Sequence, residues 1–494
     1  MKKIATLITA LFLLVSCDDT FDINRDPDLL PPGQAYATIL PAGIAGVVGA
    51  QGSYYALIGG FWSQFWTQNN TSNQYKNIDQ YSIGTNDYQV GWTAMYDALN
   101  DIRVVKAKAL AEGNNKYYLI ATVLEVQASQ VMTDLYDDIP YAEANNPLFL
   151  QPKFNTGKEA YDLMIADLKS ALAKDQSASV GDVPGKDDFI FNGNMENWTK
   201  YGNTLLLKLH LRLTQVNPTL AQSGITALIN SGAQFLDVDA AMTQFEDAAD
   251  RSNPLYESDR RQLNTTLNLR ASKTLYSYLD INADPRKNKY YGVGQPNNQG
   301  DFLNTATGLS LVTLFPKTPV YLISAEESYF LQAEALTRYY AGAGAKEKYD
   351  LGVQANFAKY NTETKVVNPD GTTSTVPAVG NANDFLAAGK KYEFPATGTA
   401  AQIEAIITQK WIASFPGNGY ESFLEQNRTG FPKESAVKQS NEAYIPGQLA
   451  TSVETVLGAN QFPRRIILPN TVKSRNPNAP ALKKIIDPVW WDVN

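Results

Sequence analysis

The sequence predicts a mostly α-helical body carrying a long-loop, irregular lobe. Apolar residues recur at helical spacing in several separate stretches, and capping signals precede two of them. The segments between are rich in Pro, Gly, Asn and aromatic residues without periodicity. The 494 residues are 44% hydrophobic and 19% charged, a globular composition. Length alone suggests about three domains of roughly 150 residues, but no linker-like stretch divides the chain, so one intertwined body with loop insertions is expected.

At the start, Lys2 and Lys3 precede an apolar run from Ile4 to Val15 that is shorter than the roughly 20 residues needed to span a bilayer. It ends in Leu14-Val15-Ser16-Cys17, which looks like the lipobox of bacterial lipoproteins. Residues 1–16 are therefore expected to be a signal peptide and Cys17 the lipidated first residue of a body spanning 17–494. One acyl chain holds only marginally, so a stable anchor implies several. The acidic stretch Asp18-Asp19-Thr20-Phe21-Asp22 resembles the surface-export signal of Bacteroidetes lipoproteins.

Further along, Ile120, Leu124, Ala128, Val131 and Leu135 form one helical stripe within 117–135. Thr156-Gly157-Lys158-Glu159 has capping-box spacing, followed by Tyr161, Ile165, Leu168 and Leu172 as a buried face. A Leu-rich helix is expected over 198–213. Ser324-Ala325-Glu326-Glu327 repeats the capping-box pattern and opens a helix bearing Tyr329, Ala333, Leu336 and Tyr340. Gly342 and Gly344 break it, and 346–360 reads as a return helix with Tyr349, Val353 and Phe357 inside. Two such antiparallel helices with alanines at their contact make an αα-hairpin of the tetratricopeptide kind. Residues 402–415 form another amphipathic helix through Ile403, Ile407 and Trp411. Asn368-Pro369-Asp370-Gly371 between valines predicts a small β-hairpin. Residues 61–92, 283–320 and 429–480 read as long loops, which in a compact protein usually carry function.

Composition excludes much chemistry. The chain has one His and one Cys, which removes Cys/His zinc sites, disulfide frameworks, haem attachment and Cys–His nucleophile pairs. With 42 Lys+Arg against 50 Asp+Glu, the net charge of −8 gives no nucleic-acid footprint. No cofactor is expected, and no Asp-rich loop has the oxygen-ligand spacing of a calcium site.

A set of ordered motifs resembles the SusD/RagB-like outer-membrane lipoproteins of Bacteroidetes over nearly the whole chain. They are Gly91-Trp92 through Tyr96 to Asp101-Ile102, Asp134-Leu135-Tyr136-Asp137-Asp138-Ile139-Pro140-Tyr141, Asn253-Pro254-Leu255-Tyr256 and Asp284-Pro285-Arg286. The 324–335 stretch ending Gln332-Ala333-Glu334-Ala335 follows, then Gln409-Lys410-Trp411-Ile412-Ala413 with Gly419-Tyr420-Glu421 and Arg428-Thr429-Gly430-Phe431-Pro432. The chain departs from the family at Phe423-Leu424 and Asn427-Arg428, where a Trp and two adjacent Arg are usual. It departs again after Pro463-Arg464-Arg465, where Leu468-Pro469 replaces Tyr-Pro.

The resemblance implies tetratricopeptide-like hairpins forming one scaffold with minor β-hairpins, held at the cell surface by a lipid anchor in the outer membrane. It implies a non-enzymatic protein that captures an oligosaccharide or polysaccharide and delivers it to a SusC-like TonB-dependent transporter. A RagB-type peptide binder and a purely structural helical scaffold are the alternatives.

Sugar recognition needs flat rings for C–H faces and planar amides for hydroxyls. The run from Phe61 to Asn70 offers both; Trp62 and Phe65 are expected in the core, and Trp66 as a platform beside Asn69, Asn70, Tyr75 and Tyr81. The family's ligand contacts imply a second wall after Asp284-Pro285-Arg286, at Tyr290, Tyr291, Asn297 and Phe302; Tyr290 and Tyr291 are open between platform and core. Trp92, Tyr96, Trp198, Trp411 and His210 read as core, the last hydrogen-bonded, and Trp490-Trp491 as a docked C-terminus. Asp137 and Asp138 read as helix-terminating or surface charges rather than a glycosidase pair.

Overall fold

A computed structural model describes residues 35–263 and 267–494; the leader, Cys17 and the acidic stretch after it lie outside the described residues. The longer helices are α1 (Ala35–Ala50), α2 (Ala56–Trp62), α3 (Gln89–Glu112), α4 (Asn115–Tyr136), α5 (Gly157–Leu172), α6 (Met195–Arg212), α7 (Pro218–Asn230), α8 (Lys273–Ile281), α9 (Ala325–Tyr339), α10 (Ala345–Lys359), α11 (Thr399–Ala413) and α12 (Gly419–Thr429). Among the described residues the strands are β1 (Trp66–Gln68), β2 (Ala240–Met242), β3 (Leu269–Ala271), β4 (Val320–Ile323), β5 (Thr364–Val367) and β6 (Thr373–Val376). They pair antiparallel as β1 with β3, β2 with β4 and β5 with β6.

Successive helices pack as neighbours: α3 on α4, α4 on α5, α6 on α7, and α9 on α10. α4 is central, touching α3, α5 and α6. Its predicted stripe is buried, and so are Thr122, Gln127, Gln130 and Thr133 on its other sides. A helix enclosed by neighbours need not be amphipathic. The capping box that opens α5 forms as predicted: Thr156 Oγ1 accepts from Glu159 N at 3.3 Å, and Thr156 N donates to Glu159 Oε2 at 2.9 Å. At α9 only half of it forms. Ser324 caps Glu327 N at 3.2 Å, but the Glu327 carboxylate turns to Lys208 and Lys410. The α9–α10 hairpin encloses its own core of Phe330, Ala333, Tyr349, Val353 and Phe357, shared with Ile403 and Ile407 of α11. The β5–β6 hairpin closes through Asn368 N donating to Thr372 O at 2.9 Å.

Three of the motif stretches that carry the resemblance, those at Asp134, 324–335 and 409–428, converge on one buried ionic cluster. Arg212 on α6 pairs with Asp134 on α4 (3.1 Å) and with Glu421 and Glu425 on α12 (3.0 and 2.9 Å). Lys208 bridges Glu421 and Glu327, at 2.5 and 3.1 Å. Lys410 on α11 lies 3.4 Å from Glu327 and 3.3 Å from Glu425. Arg428 meets Glu334 of α9 at 2.7 Å, and Arg338 reaches the same carboxylate. Five acids face five bases, so no charge in the cluster is left uncompensated. Burial alone would raise Glu425, but Arg428, Lys410 and Arg212 together pull it well below the usual carboxylate range. The C-terminus docks on this cluster as expected: Trp491 Nε1 donates to Asp134 at 2.8 Å, and the Arg212 guanidinium stands 5.1 Å from the indole centre.

One departure from the sequence expectation concerns His210, whereas Asp137 and Asp138 end a helix as expected. His210 is core, but neither ring nitrogen has a hydrogen-bond partner among the described residues; it packs against Gly224, and burial pushes its pKa down to about 4, with Lys169 adding to the shift. Asp137 and Asp138 end α4 and tie down its neighbours. Asp137 accepts from Trp490 N at 2.9 Å and pairs with Arg465, while Asp138 accepts from Gly157 N at 3.1 Å.

Candidate functional site

The two loop segments singled out in the sequence do come together in one lobe. β1 pairs with β3, Tyr291 donates to Phe65 O at 2.8 Å, and Gly300 N donates to Thr67 Oγ1 at 2.9 Å. At the centre lies Asp79, which accepts from Thr67 Oγ1 (2.6 Å), Gln68 N (2.8 Å) and Gln299 Nε2 (2.6 Å). Burial raises its pKa to about 6 against those hydrogen bonds.

The rings, however, face inward, which corrects the expectation of a platform. Trp66 is 0% exposed; its indole lies on the face of Gly60, where a Cβ would come within 1.9 Å of it, and it packs edge-on against Phe61, Phe65 and Phe415. α2 ends at Trp62, and a turn through Gln64 (φ 56°) leads into β1, so the helical spacing does not continue to Trp66. Tyr75 and Tyr81 are buried, the latter beside Phe462. Tyr290 is core, stacked on Phe415 at 4.2 Å, and Tyr291 is core with it. Phe302 is buried beneath the Lys76 ammonium, 4.9 Å from its centre. Asn69 spends its side chain on Thr71 and on the backbone of half-buried Asn70, and Asn297 is buried in its own loop, donating to Asp301 O. None of these rings offers a free face.

Accessible rings and amides occur together elsewhere, in a cleft of about 610 Å³ beside the start of α3. That volume lies within the usual range of ligand pockets. Trp92 and Tyr96, one helical turn apart, form its floor with ring centres 4.8 Å apart, and Phe154 lies parallel to Trp92 at 6.4 Å. Phe149, 43% exposed, stands at the edge. The rim carries Asn100, Asn145, Asn146, Asp97 and Arg475. Tyr96 lines the cleft, but its hydroxyl is buried without a hydrogen-bond partner among the described residues, and burial raises its pKa.

The far wall, residues 141–154, is irregular yet pinned. Ile139 and Asn155 exchange backbone hydrogen bonds at 3.2 and 2.9 Å. The Arg103 guanidinium, paired with Glu125 at 2.8 Å, donates to Tyr141 O at 2.5 Å and to Ala144 O. Asn145 Nδ2 donates to Tyr96 O (3.1 Å), and Asn476 Nδ2 to Pro152 O (2.8 Å). This pinning holds Leu148 and Leu150 out in solvent, 84% and 92% exposed. Helical spacing assigns Trp92 and Tyr96 to the core, where Trp92 is buried and Tyr96 packs against it, and it does not mark this loop. The available signal was Leu148-Phe149-Leu150, an apolar triplet inside an Asn/Pro-rich loop, with Asn100 one further turn along the Trp92–Tyr96 face.

Among the described residues no group of three or more His, Cys, Asp or Glu side chains could hold a metal ion, and no helix is long and apolar enough to cross a membrane.

Comparison with known proteins agrees with this architecture. A family model for SusD-like proteins, described as starch-binding and associating with the outer membrane, matches residues 48–450. A chitin-binding SusD homolog from Flavobacterium johnsoniae is 21% identical, covering 92% of this chain and 99% of its own, with a TM-score of 0.69. A SusD homolog from Bacteroides uniformis is 20% identical over 92% and 100% of the two chains, with a TM-score of 0.68. A SusD/RagB family protein from Bacteroides thetaiotaomicron is 18% identical over 93% and 99%, with a TM-score of 0.74. A search of curated proteins returns no match. At these identities the solved structures establish the shared fold, and the family model supplies the assignment: the chain belongs to the SusD-like family of starch-binding proteins that associate with the outer membrane.

Proposed function

We propose that this protein is a lipid-anchored cell-surface binder that captures an oligosaccharide or polysaccharide in the Trp92 cleft and passes it to a SusC-like TonB-dependent transporter. The observation that carries the reading is the cleft itself. Ring faces at Tyr96, Phe149 and Phe154 suit the C–H faces of sugars, and the Asn and Arg groups around them suit hydroxyls. The family's starch-binding description supports the ligand class, and the Cys17 lipobox supports the anchor. The reading is one of binding without chemistry. Glycoside hydrolysis by the usual route needs two carboxyl groups flanking the bond, and Asp97 is the single acid lining the cleft.

Isothermal titration against a panel of neutral polysaccharides tests it. At least one glycan is expected to bind, with affinity lowered at least tenfold by Phe149→Ala and by Asn146→Ala, both exposed enough to leave the fold intact. Uniformly flat titrations, or co-purified peptides in place of sugars, would count against the glycan reading. A transporter retained with the tagged protein from detergent-solubilised membranes is the expected result for the partner.

A further inference from the structure

A second cavity, separate from the Trp92 cleft and bordering the lobe at Phe415, lies where β4, the first turn of α9, the end of α10 and the loop after α11 meet. It is smaller, about 320 Å³, and more enclosed. Its polar side is unusual for a space in a protein interior. Glu326, Glu327 and Lys410 are all buried and all line it, with Lys359 beside them. Its other walls include the aromatic rings of Tyr321, Phe415 and, at the surface, Phe315, which is 39% exposed.

The charges around this cavity are already satisfied. Glu326 meets Lys359 at 2.8 Å, and the same ammonium reaches Asp239 at 3.1 Å. Glu327 meets Lys208 at 3.1 Å and Lys410 at 3.4 Å. Glu326 and Asp239 thus share the Lys359 ammonium, and Glu327 is held by the two lysines of the buried ionic cluster. An anionic ligand entering here would lose its hydration against carboxylates, and a cationic one would have to compete with ammonium groups already in place. A neutral ligand with several hydroxyls fares differently. A carboxylate oxygen paired with one ammonium keeps further lone pairs, and an ammonium keeps further N–H donors, so both hydrogen-bond strongly to hydroxyls without giving up their partners. Tyr321 and Phe415 supply apolar ring surface for the C–H side of the same ligand. The volume is at the small end of the ligand-pocket range, which suits a small molecule better than a chain passing through.

We propose that this cavity is a second ligand site taking a neutral monosaccharide or disaccharide, bound independently of the glycan in the Trp92 cleft. The test is titration of the full chain with neutral mono- and disaccharides, alongside glycine, glucosamine and glucuronate as zwitterionic, cationic and anionic controls. Ala413→Phe narrows the cavity; Phe315→Ala removes an exposed wall residue and leaves the interior untouched. At least one neutral saccharide is expected to bind. Its affinity should fall at least tenfold in both variants, stay unchanged in Phe149→Ala, and exceed that of every charged control at least tenfold. The proposal is overturned if no neutral saccharide binds, if Phe315→Ala leaves binding intact, or if a charged control binds as tightly. Loss of binding in Phe149→Ala as well would assign the saccharide to the Trp92 cleft and also overturn it. Polysaccharide binding that fails while the small saccharide still binds would sink the cleft reading alone.

Discussion

Replacing Trp66 by Ala removes an indole enclosed by Gly60, Phe61, Phe65 and Phe415. The expected result is a loss of about 3–5 kcal/mol in stability by urea denaturation, the range for large buried aromatic side chains; a loss below about 1 kcal/mol would mean that the ring is free. His210 gives a second handle at this scale. Its pKa falls from 6.5 to about 4 on folding, so the unfolded chain takes up the proton first as pH drops. Its contribution to stability is therefore complete above pH 6.5 and is lost between 6.5 and 4, by about 3 kcal/mol. His210→Phe should remove that loss, so the stability difference between variant and wild type should grow by this amount on going from pH 7 to 4. An unchanged difference would show the ring to be hydrated. The direction in which a ring points is what residue types leave open. The Phe61–Trp66 run contains the right groups for sugar, yet whether Trp66 meets solvent depends on a bare Gly60 and on Phe415, which is distant in sequence.

At the scale of elements, buried ion pairs join α4, α6, α9, α11 and α12 in addition to their shared apolar core. Pairing charges inside a protein adds little over good apolar packing, whereas unpairing one is costly. Arg212→Met leaves Asp134 and Glu421 short of a cation and should cost about 3–5 kcal/mol by denaturation; a loss under about 1 kcal/mol would show that the cluster is dispensable. Helix positions are largely legible in the sequence, because capping residues and apolar periodicity are local signals. Thr156–Leu172 and the α9–α10 hairpin follow the expected course to within a residue or two. The role of Glu327 is not legible, since a capping-box Glu and a buried ion-pair Glu share the same sequence spacing, and its partner Lys208 lies more than a hundred residues away. The same holds for Glu334 and Arg428, which the motifs mark without disclosing that they touch.

Across the whole molecule, the helical hairpins form a scaffold and the long segments do two different jobs. Residues 61–92 and 283–320 knit a lobe around Asp79, whereas 141–154, a shorter loop, shapes the open cleft. Fold class and family were within reach of the sequence because both rest on ordered local motifs. The cleft was not, because it is assembled from α3, the 141–154 loop and the helix at Asn470–Arg475, three pieces that only tertiary packing brings together. The most direct measurement is a crystal structure of the protein with an oligosaccharide that binds in titration. Sugar rings are expected against Tyr96, Phe149 and Phe154, with Asn146 or Arg475 within hydrogen-bond distance of hydroxyls. Sugar lying on the lobe beside Asn70 with the Trp92 cleft unchanged would contradict the account.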